Sequence, residues 1–254
     1  MFDNLLLIKI CVQLPTFSLL AFLAFKKKWL TTSGCFTAIL IGLCFFTYLD
    51  LIFPLILFIG GALLSKLNKD KKEKNGRNAY QVLANGGIGV MCLLYFYSLP
   101  FAQFSHLGYV AFMVSFSISI ADTFSSEIGC YIKGKTFDIL TFQPIKTGMS
   151  GGISLEGTLG GIGGGLIAGI AAYFIVDNLE ISFLVAFVGI IGMLVDSVLG
   201  SWLQAKYINS VGEVSEEKEL DNKLIRGYAW CTNNMVNLLS NLLVIAGFIV
   251  YKKF

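Results

Sequence analysis

Residues 181–204 read ISFLVAFVGIIGMLVDSVLGSWLQ, a stretch of about two dozen residues with a single charged side chain, Asp196. The run is long enough to cross the roughly 30 Å hydrocarbon layer of a bilayer as one helix. Its apolar residues are continuous and do not alternate with period two. That selects a helix over a strand of a transmembrane barrel. Lipid offers no partners for backbone polar groups, so a chain that exposes apolar surface must close its hydrogen bonds within helices or a barrel.

The rest of the sequence repeats this pattern. Hydrophobic residues make up 56% of the 254 and charged residues 14%, and the mean hydropathy is +0.74. A water-soluble domain of this size carries far more charge. The expected fold is all-α, a polytopic transmembrane bundle forming a single integral membrane domain over 1–254. About eight spans are predicted: 4–25, 31–48, 51–66, 81–99, 107–128, 157–176, 181–204 and 228–251, the second and third open to being one broken helix near Leu49–Asp50. Asn4 to Phe25 lacks a small-residue cleavage site and reads as a retained span. The six cysteines are scattered over apolar segments without CxxC or Cys/His spacing, which reads as packed thiols. His106 is the sole histidine, and acid/base chemistry needs a positioned partner that its neighbourhood does not offer.

Alternate loops are basic: Lys26–Lys28, then Lys66, Lys69, Lys71, Lys72, Lys74 and Arg77, then Lys133, Lys135 and Lys146, then Lys206, Lys218, Lys223 and Arg226. Positively charged loops stay on the cytoplasmic side, so both termini are predicted outside. Lys252 and Lys253 run against that assignment but weigh less than four basic loops. The expected location is the cell's inner or plasma membrane, with the polar end facing the cytoplasm. No nucleic-acid partner is expected. The run Glu213–Asp221 reads as a solvated linker.

Charged groups inside a span cost about 2.5–3.5 kcal/mol at the bilayer centre on insertion scales. Asp122 and Asp196 fall in or at the end of spans, each on a polar helical stripe: Ser115, Ser119, Asp122 and Ser126 on one, Asp196, Gly200 and Gln204 on the other. Asn233, Asn237 and Asn241 repeat every four residues in the last span, and Asn78, Gln81 and Asn85 share a face of the fourth. Interhelical hydrogen bonding accounts for asparagines at such positions, whereas a carboxylate demands a cation or a proton. An oxygen-rich set without sulfur or imidazole suits magnesium. Asp122, Glu127 and Asp196, helped by Asn234 and Asn237, are expected to cage one or two such ions. In the loop Pro144–Thr158, Gly151 and Gly152 let the backbone approach a phosphate, the next helix aims its N-terminus at it, and Lys146, Ser150 and Ser154 supply donors. This is not a Walker loop, since no Gly-Lys-Ser/Thr follows the glycines. Gly157, Gly161, Gly165 and Gly169, four apart, read as close helix packing.

These segments together carry a resemblance: Arg77 with Gln81-Val82-Leu83-Ala84-Asn85-Gly86, Ala121-Asp122-Thr123 with Ser126-Glu127-Ile128-Gly129, Ser150-Gly151-Gly152-Ile153-Ser154 with Gly157-Thr158, Asp196-Ser197 with Leu199-Gly200 and Gln204, and Asn234 with Val236-Asn237 and Ser240. In this order and over nearly the whole chain they look like the integral membrane family that holds plant phytyl-phosphate kinase and animal transmembrane protein nineteen. The sequence departs from it where Phe124 replaces a usual tryptophan and where Lys146 and Thr147 replace two prolines. The resemblance implies a magnesium-dependent lipid-phosphate kinase that moves a phosphoryl group from a nucleoside triphosphate, CTP or ATP, to an isoprenyl (phytyl or polyprenyl) monophosphate. Asp122, Glu127, Asp196 and Lys146 would then be catalytic. Arg77, Gln81 and Asn85 would contact the nucleotide or the acceptor phosphate, with Ser150, Gly151, Gly152 and Ser154 on phosphates. The alternative is a lipid-phosphate or small-solute transporter, for which polar groups should line a path through both leaflets.

Overall fold

A computed structural model describes residues 9–45, 48–68, 76–98 and 102–253. The start of the first expected span at Asn4, the end of the fourth at Leu99, and Lys69, Lys71, Lys72 and Lys74 lie outside the described residues. Among the described residues, eight helices stand where eight spans are expected: α1 Leu14–Lys26, α2 Thr32–Leu43, α3 Leu49–Leu67, α4 Ala79–Tyr97, α5 Ala102–Ile132, α6 Leu155–Val176, α7 Leu179–Leu203 and α8 Asn233–Lys253. Helix α2 ends at Leu43 and α3 begins at Leu49, and residues 46 and 47 between them lie outside the described residues. Among the described residues, five helices are long and apolar enough to cross a membrane, those of α3, α5, α6, α7 and α8. Helices α1 and α2 are shorter, as is the apolar stretch Ala79–Tyr95 of α4. Thr32–Leu43 reaches only about 18 Å at 1.5 Å per residue, well short of a full crossing.

Helix α5 is the axle of the bundle. Its segment Ala111–Val114 is fully buried, and α3, α4, α6, α7 and α8 all pack on it. Glycines set the closeness of α6. A Cβ at Gly161 would lie 3.1 Å from Ala121 O of α5, and one at Gly169 would lie 2.8 Å from Ser182 O of α7. The glycine stripe is thus a packing surface, as its spacing implies.

Helix α3 is irregular. A 3₁₀ turn at Tyr48–Leu51 and a π turn at Ile56–Gly60 flank short α-helical pieces. Such turns occur as local bulges, often beside functional groups. The bulge ends at Gly60-Gly61. A Cβ on Gly61 would meet the Arg77 guanidinium at 2.5 Å and Thr123 at 3.0 Å, so glycine here admits the arginine.

Side chains fix the helix starts. Ser154 Oγ accepts from Gly157 N (3.1 Å) at α6, Asn178 Oδ1 from Ile181 N (3.0 Å) at α7. Asn78 and Gln81 cap α4 reciprocally: Asn78 N donates to Gln81 Oε1 (2.9 Å) and Gln81 N to Asn78 Oδ1 (3.1 Å), the two-way arrangement of a capping box. Because the helices alternate in direction, α5 and α7 end, and α4, α6 and α8 begin, at the same end of the bundle. Two small sheets cover that end. Strands β1 (Phe137–Asp138) and β2 (Gly152–Ile153) pair antiparallel, and β3 (Lys206–Ile208) lies between β4 (Val214–Ser215) and β5 (Lys223–Arg226).

Candidate functional site

One polar cavity of about 670 Å³ opens at this covered end. Most of its wall traces to segments named from sequence. Helix α4 contributes Arg77, Gln81 and Asn85, and α5 contributes Asp122, Ser126 and Glu127. The glycine-rich loop contributes Ser150, Gly151, Gly152 and Ser154. Helices α7 and α8 bring Asp196, Asn234 and Asn237. Twelve of the thirteen expected site residues therefore line one cavity.

Lys146 is the exception. Its side chain is exposed and does not line the cavity. Its carbonyl accepts from Met149 N (3.2 Å) in the turn that starts the loop, and that turn sends the side chain outward. The lysine at the cavity is Lys218, from the segment expected to be a solvated linker. That expectation also fails for Glu216, which is half-buried over the loop.

Asp122 and Asp196 sit across the cavity close enough to feel each other's charge. Ser240 Oγ donates to Asp196 Oδ2 (2.8 Å). With its amide nitrogen facing acceptors, Asn237 donates to the same Asp196 oxygen (3.3 Å) and to Asn233 O (2.9 Å), while its amide oxygen faces Asn85 at 3.2 Å. Asn85 Nδ2 donates to Gln81 O (2.8 Å). Glu127 takes a different course. It lies five positions beyond Asp122, about 140° around the helix, and accepts from Ser65 Oγ of α3 (2.8 Å). Among the described residues no three of His, Cys, Asp and Glu gather around a common point. The three-acid cage expected from sequence is therefore corrected to an aspartate pair with a glutamate on the neighbouring wall. Two further roles shrink: Gln81 Oε1 and Ser154 Oγ are engaged as helix caps.

The glycine-rich loop is held from both sides. Ile145 N donates to Thr136 O (3.0 Å) and Ile139 N to Gly151 O (2.9 Å). Gly151 has φ +78°, and a Cβ there would meet Ser201 Cα at 2.5 Å. Only glycine combines that backbone with that contact. The N-termini of α6 and α8 face the cavity beside this loop, and the partial positive charge at a helix start favours an anion.

Behind the loop stands a cluster that the sequence did not announce. Asp138 is fully buried and accepts from Leu140 N and Thr141 N (3.0 Å each), Ser201 Oγ (2.8 Å) and Arg226 Nη1 (2.8 Å). Lys206 Nζ lies 3.7 Å away and donates to Ser150 O at 2.9 Å. Burial alone would raise the Asp138 pKa, but the Ser201 hydroxyl, the Thr141 and Leu140 N–H groups and the Arg226 charge together hold it down at about 2. An Asp followed by a turn is the only local signal, and its Arg226 partner is 88 residues away.

Glu216 Oε1 accepts from Ser150 N at 2.6 Å. Burial pushes this carboxyl up, against the opposing pull of Ser150 N–H, Lys206 and Gln204. A carboxylate already sits on a backbone donor that a phosphate would use. Glu216→Gln, which keeps shape and removes charge, is expected to lower the KM for an anionic nucleotide about three-fold or more, since like charges in contact repel. Nucleotide titrations of the two proteins read this directly, and an unchanged or higher KM would count against a phosphate on that donor.

Below the cavity the polar stripe closes on itself. Ser119 Oγ donates to Asn85 O (2.7 Å), Asn241 Nδ2 to Ser119 Oγ (3.3 Å) and Ser115 Oγ to Asn241 Oδ1 (2.8 Å). These are interhelical bonds of the kind that hold membrane helices together.

A family model described as integral membrane protein DUF92 matches residues 15–245. The chain is 29% identical to an uncharacterized membrane protein of Methanocaldococcus jannaschii over 237 residues, spanning 89% of this chain and 96% of that protein. It is 29% identical to Protein PGR of Arabidopsis thaliana over 261 residues, 89% of this chain and 90% of that one. It is also 29% identical to Protein VTE6, chloroplastic, of the same plant over 224 residues, 83% of this chain and 62% of that one. No solved structure matches the chain significantly.

Proposed function

The chain belongs to the integral membrane protein DUF92 family, and on that premise we propose that it is an isoprenyl-monophosphate kinase working at the cytoplasmic face of the membrane. One observation carries the reading. A single cavity joins an aspartate pair to a glycine-rich loop and two helix N-termini. Phosphoryl transfer needs little covalent chemistry from the protein, only positioned charge of both signs around in-line phosphates. In the proposed reaction an oxygen of the lipid monophosphate bonds to the γ-phosphorus of the triphosphate. The bond from that phosphorus to the β–γ bridging oxygen breaks, and a nucleoside diphosphate leaves with the electron pair.

The donor set also fits magnesium. The ion accepts one or two carboxylates and retains waters, the rest of its shell coming from substrate phosphates. Asp122 and Asp196 supply the carboxylates, with no sulfur or imidazole to favour another metal. When bound, the ion would neutralise phosphate charge as it develops. The chain's own groups do the positioning. The loop N–H groups and the start of α6 hold phosphates, Arg77 adds a fixed cation, and Ser240 and Asn237 orient Asp196.

A transporter reading has less support, because the polar stripe ends in the closed bonds of Ser115, Ser119 and Asn241 above the apolar Ala111–Val114 segment. The test is direct: purified protein in detergent or liposomes, geranylgeranyl or phytyl monophosphate, magnesium, and CTP or ATP in turn. The expected result is a lipid diphosphate and one equivalent of nucleoside diphosphate. A folded sample that yields no diphosphate with either donor overturns the kinase, and nucleotide-free counterflow of lipid phosphate would install the transporter.

A further inference from the structure

A second cavity, of about 540 Å³, lies between α1, α2, α3 and α4. Its size falls within the range of roughly 300–1,000 Å³ typical of small-ligand pockets. It is almost wholly apolar, and it is not simply lipid-facing surface. Phe17, Leu30, Phe45, Leu57, Val82 and Phe116, all buried, form its inner wall.

Only one end is polar. Lys27, Trp29 and Lys66 form that rim, with both ammonium groups over the indole ring, at 4.9 Å and 5.5 Å from its centre. The indole Nε1 is buried, with no hydrogen-bond partner among the described residues. An orphaned donor on a ring that carries two cations is a place for an anionic oxygen. The rim also adjoins the polar cavity. Arg77 N donates to Trp29 O (2.9 Å), and Arg77, which lines the polar cavity, packs its guanidinium on Phe58 of the apolar one at 5.6 Å. Helix α3 is the partition. Phe58, Leu63 and Lys66 face the groove, while Gly61 and Ser65 meet Arg77 and Glu127.

We propose that this groove holds the hydrocarbon chain of the isoprenyl monophosphate, with its phosphate leaving the groove past Trp29 and Lys66 to reach Arg77. The ligand's identity rests on the kinase reading above; the groove and its basic rim do not. The charge of the rim complements a monophosphate, and the position of the polar end hands that phosphate to the site that would extend it.

The experiment uses the full chain in detergent and a diazirine-bearing geranylgeranyl monophosphate, without nucleotide, followed by mapping of the labelled peptides. Labelling should fall on α1–α4 and be displaced by unlabelled geranylgeranyl monophosphate. Dioleoyl phosphatidic acid should compete at least ten-fold less well. Ala38→Trp, which fills the groove, should cut labelling about ten-fold, whereas Phe174→Trp on the exposed face of α6 should not. Trp29→Phe keeps the ring and removes the donor, so the preference for monophosphate over geranylgeraniol should drop about five-fold. Labelling elsewhere by a sample that is an active kinase overturns the groove and leaves the function intact. Groove labelling by a sample without kinase activity does the reverse. Equal competition by phosphatidic acid, or no saturable labelling of folded protein, overturns the groove assignment.

Discussion

Asp196→Asn is expected to lower kcat for lipid-phosphate phosphorylation by about 10³-fold while leaving the fold in place. The substitution preserves volume, and the Ser240 hydroxyl that donates to Asp196 Oδ2 at 2.8 Å can donate equally to an amide oxygen. What disappears is one negative charge in a cavity where phosphate charge is redistributed. A carboxylate does not itself favour phosphate charge; its loss acts through weaker magnesium binding, and losing the several kcal/mol of charge stabilisation that the ion would supply costs about 10³ in rate. Asp122→Asn should behave alike, and the double variant should be little worse than either single one, because groups acting as a unit are not additive. Activity across a magnesium titration, with a thermal melt as the check on folding, measures all three. Retention of activity within about three-fold in either single variant would remove the aspartate pair from the chemistry.

Why the pair was legible in sequence, and its surroundings less so, follows from the solvent each part meets. In lipid the periodicity is forced. Asp122 stands out because Ala121, Ile120 and Ile118 around it are apolar, and Asn233, Asn237 and Asn241 mark a face because nothing else on α8 is polar at that spacing. The glycine stripe of α6 is equally readable, since only close approach explains it. The covering loops meet water, where polar residues are ordinary and no period binds them. Asp138 looks like a turn residue, and its partners Ser201, Lys206 and Arg226 reach it from 63 to 88 residues away. Lys146 had the right charge in the right loop, but a one-turn reversal points it outward. Glu216 sat in a stretch of mixed charge that reads as solvated, and only the fold lays it on Ser150 N. Sequence gathers the aspartates and Glu127 into one cage because it gives spacing along a helix and not which neighbour each side chain meets; Ser65, on α3, draws Glu127 aside.

Asp138→Asn carries the largest expected effect on stability. The carboxylate is fully buried and joins four elements: β1, the turn after it, the end of α7 through Ser201, and β5 through Arg226. An asparagine can keep the turn bonds but leaves Arg226 and the nearly buried Lys206 without their shared anion. Breaking a buried pair by removing one partner costs about 3–5 kcal/mol. Because a third of the Arg226 side chain remains in water, the lower end, about 3 kcal/mol, is expected. The pH dependence has a definite sign. The Asp138 pKa falls from an ordinary 3.8 to about 2 on folding, so its contribution is complete above about pH 4 and is lost as pH falls through about 2. Thermal unfolding in detergent, followed between pH 2 and 7, should show the wild-type protein losing its advantage over the variant in that acid window and nowhere else. The loss should also reach the cavity. Lys206, which this anion holds, donates to Ser150 O, so the variant's glycine-rich loop should loosen and its KM for nucleotide rise even at neutral pH, where the fold survives. A variant with unaltered melting and unaltered nucleotide KM would mean that the cap is held by its strands and not by this buried charge.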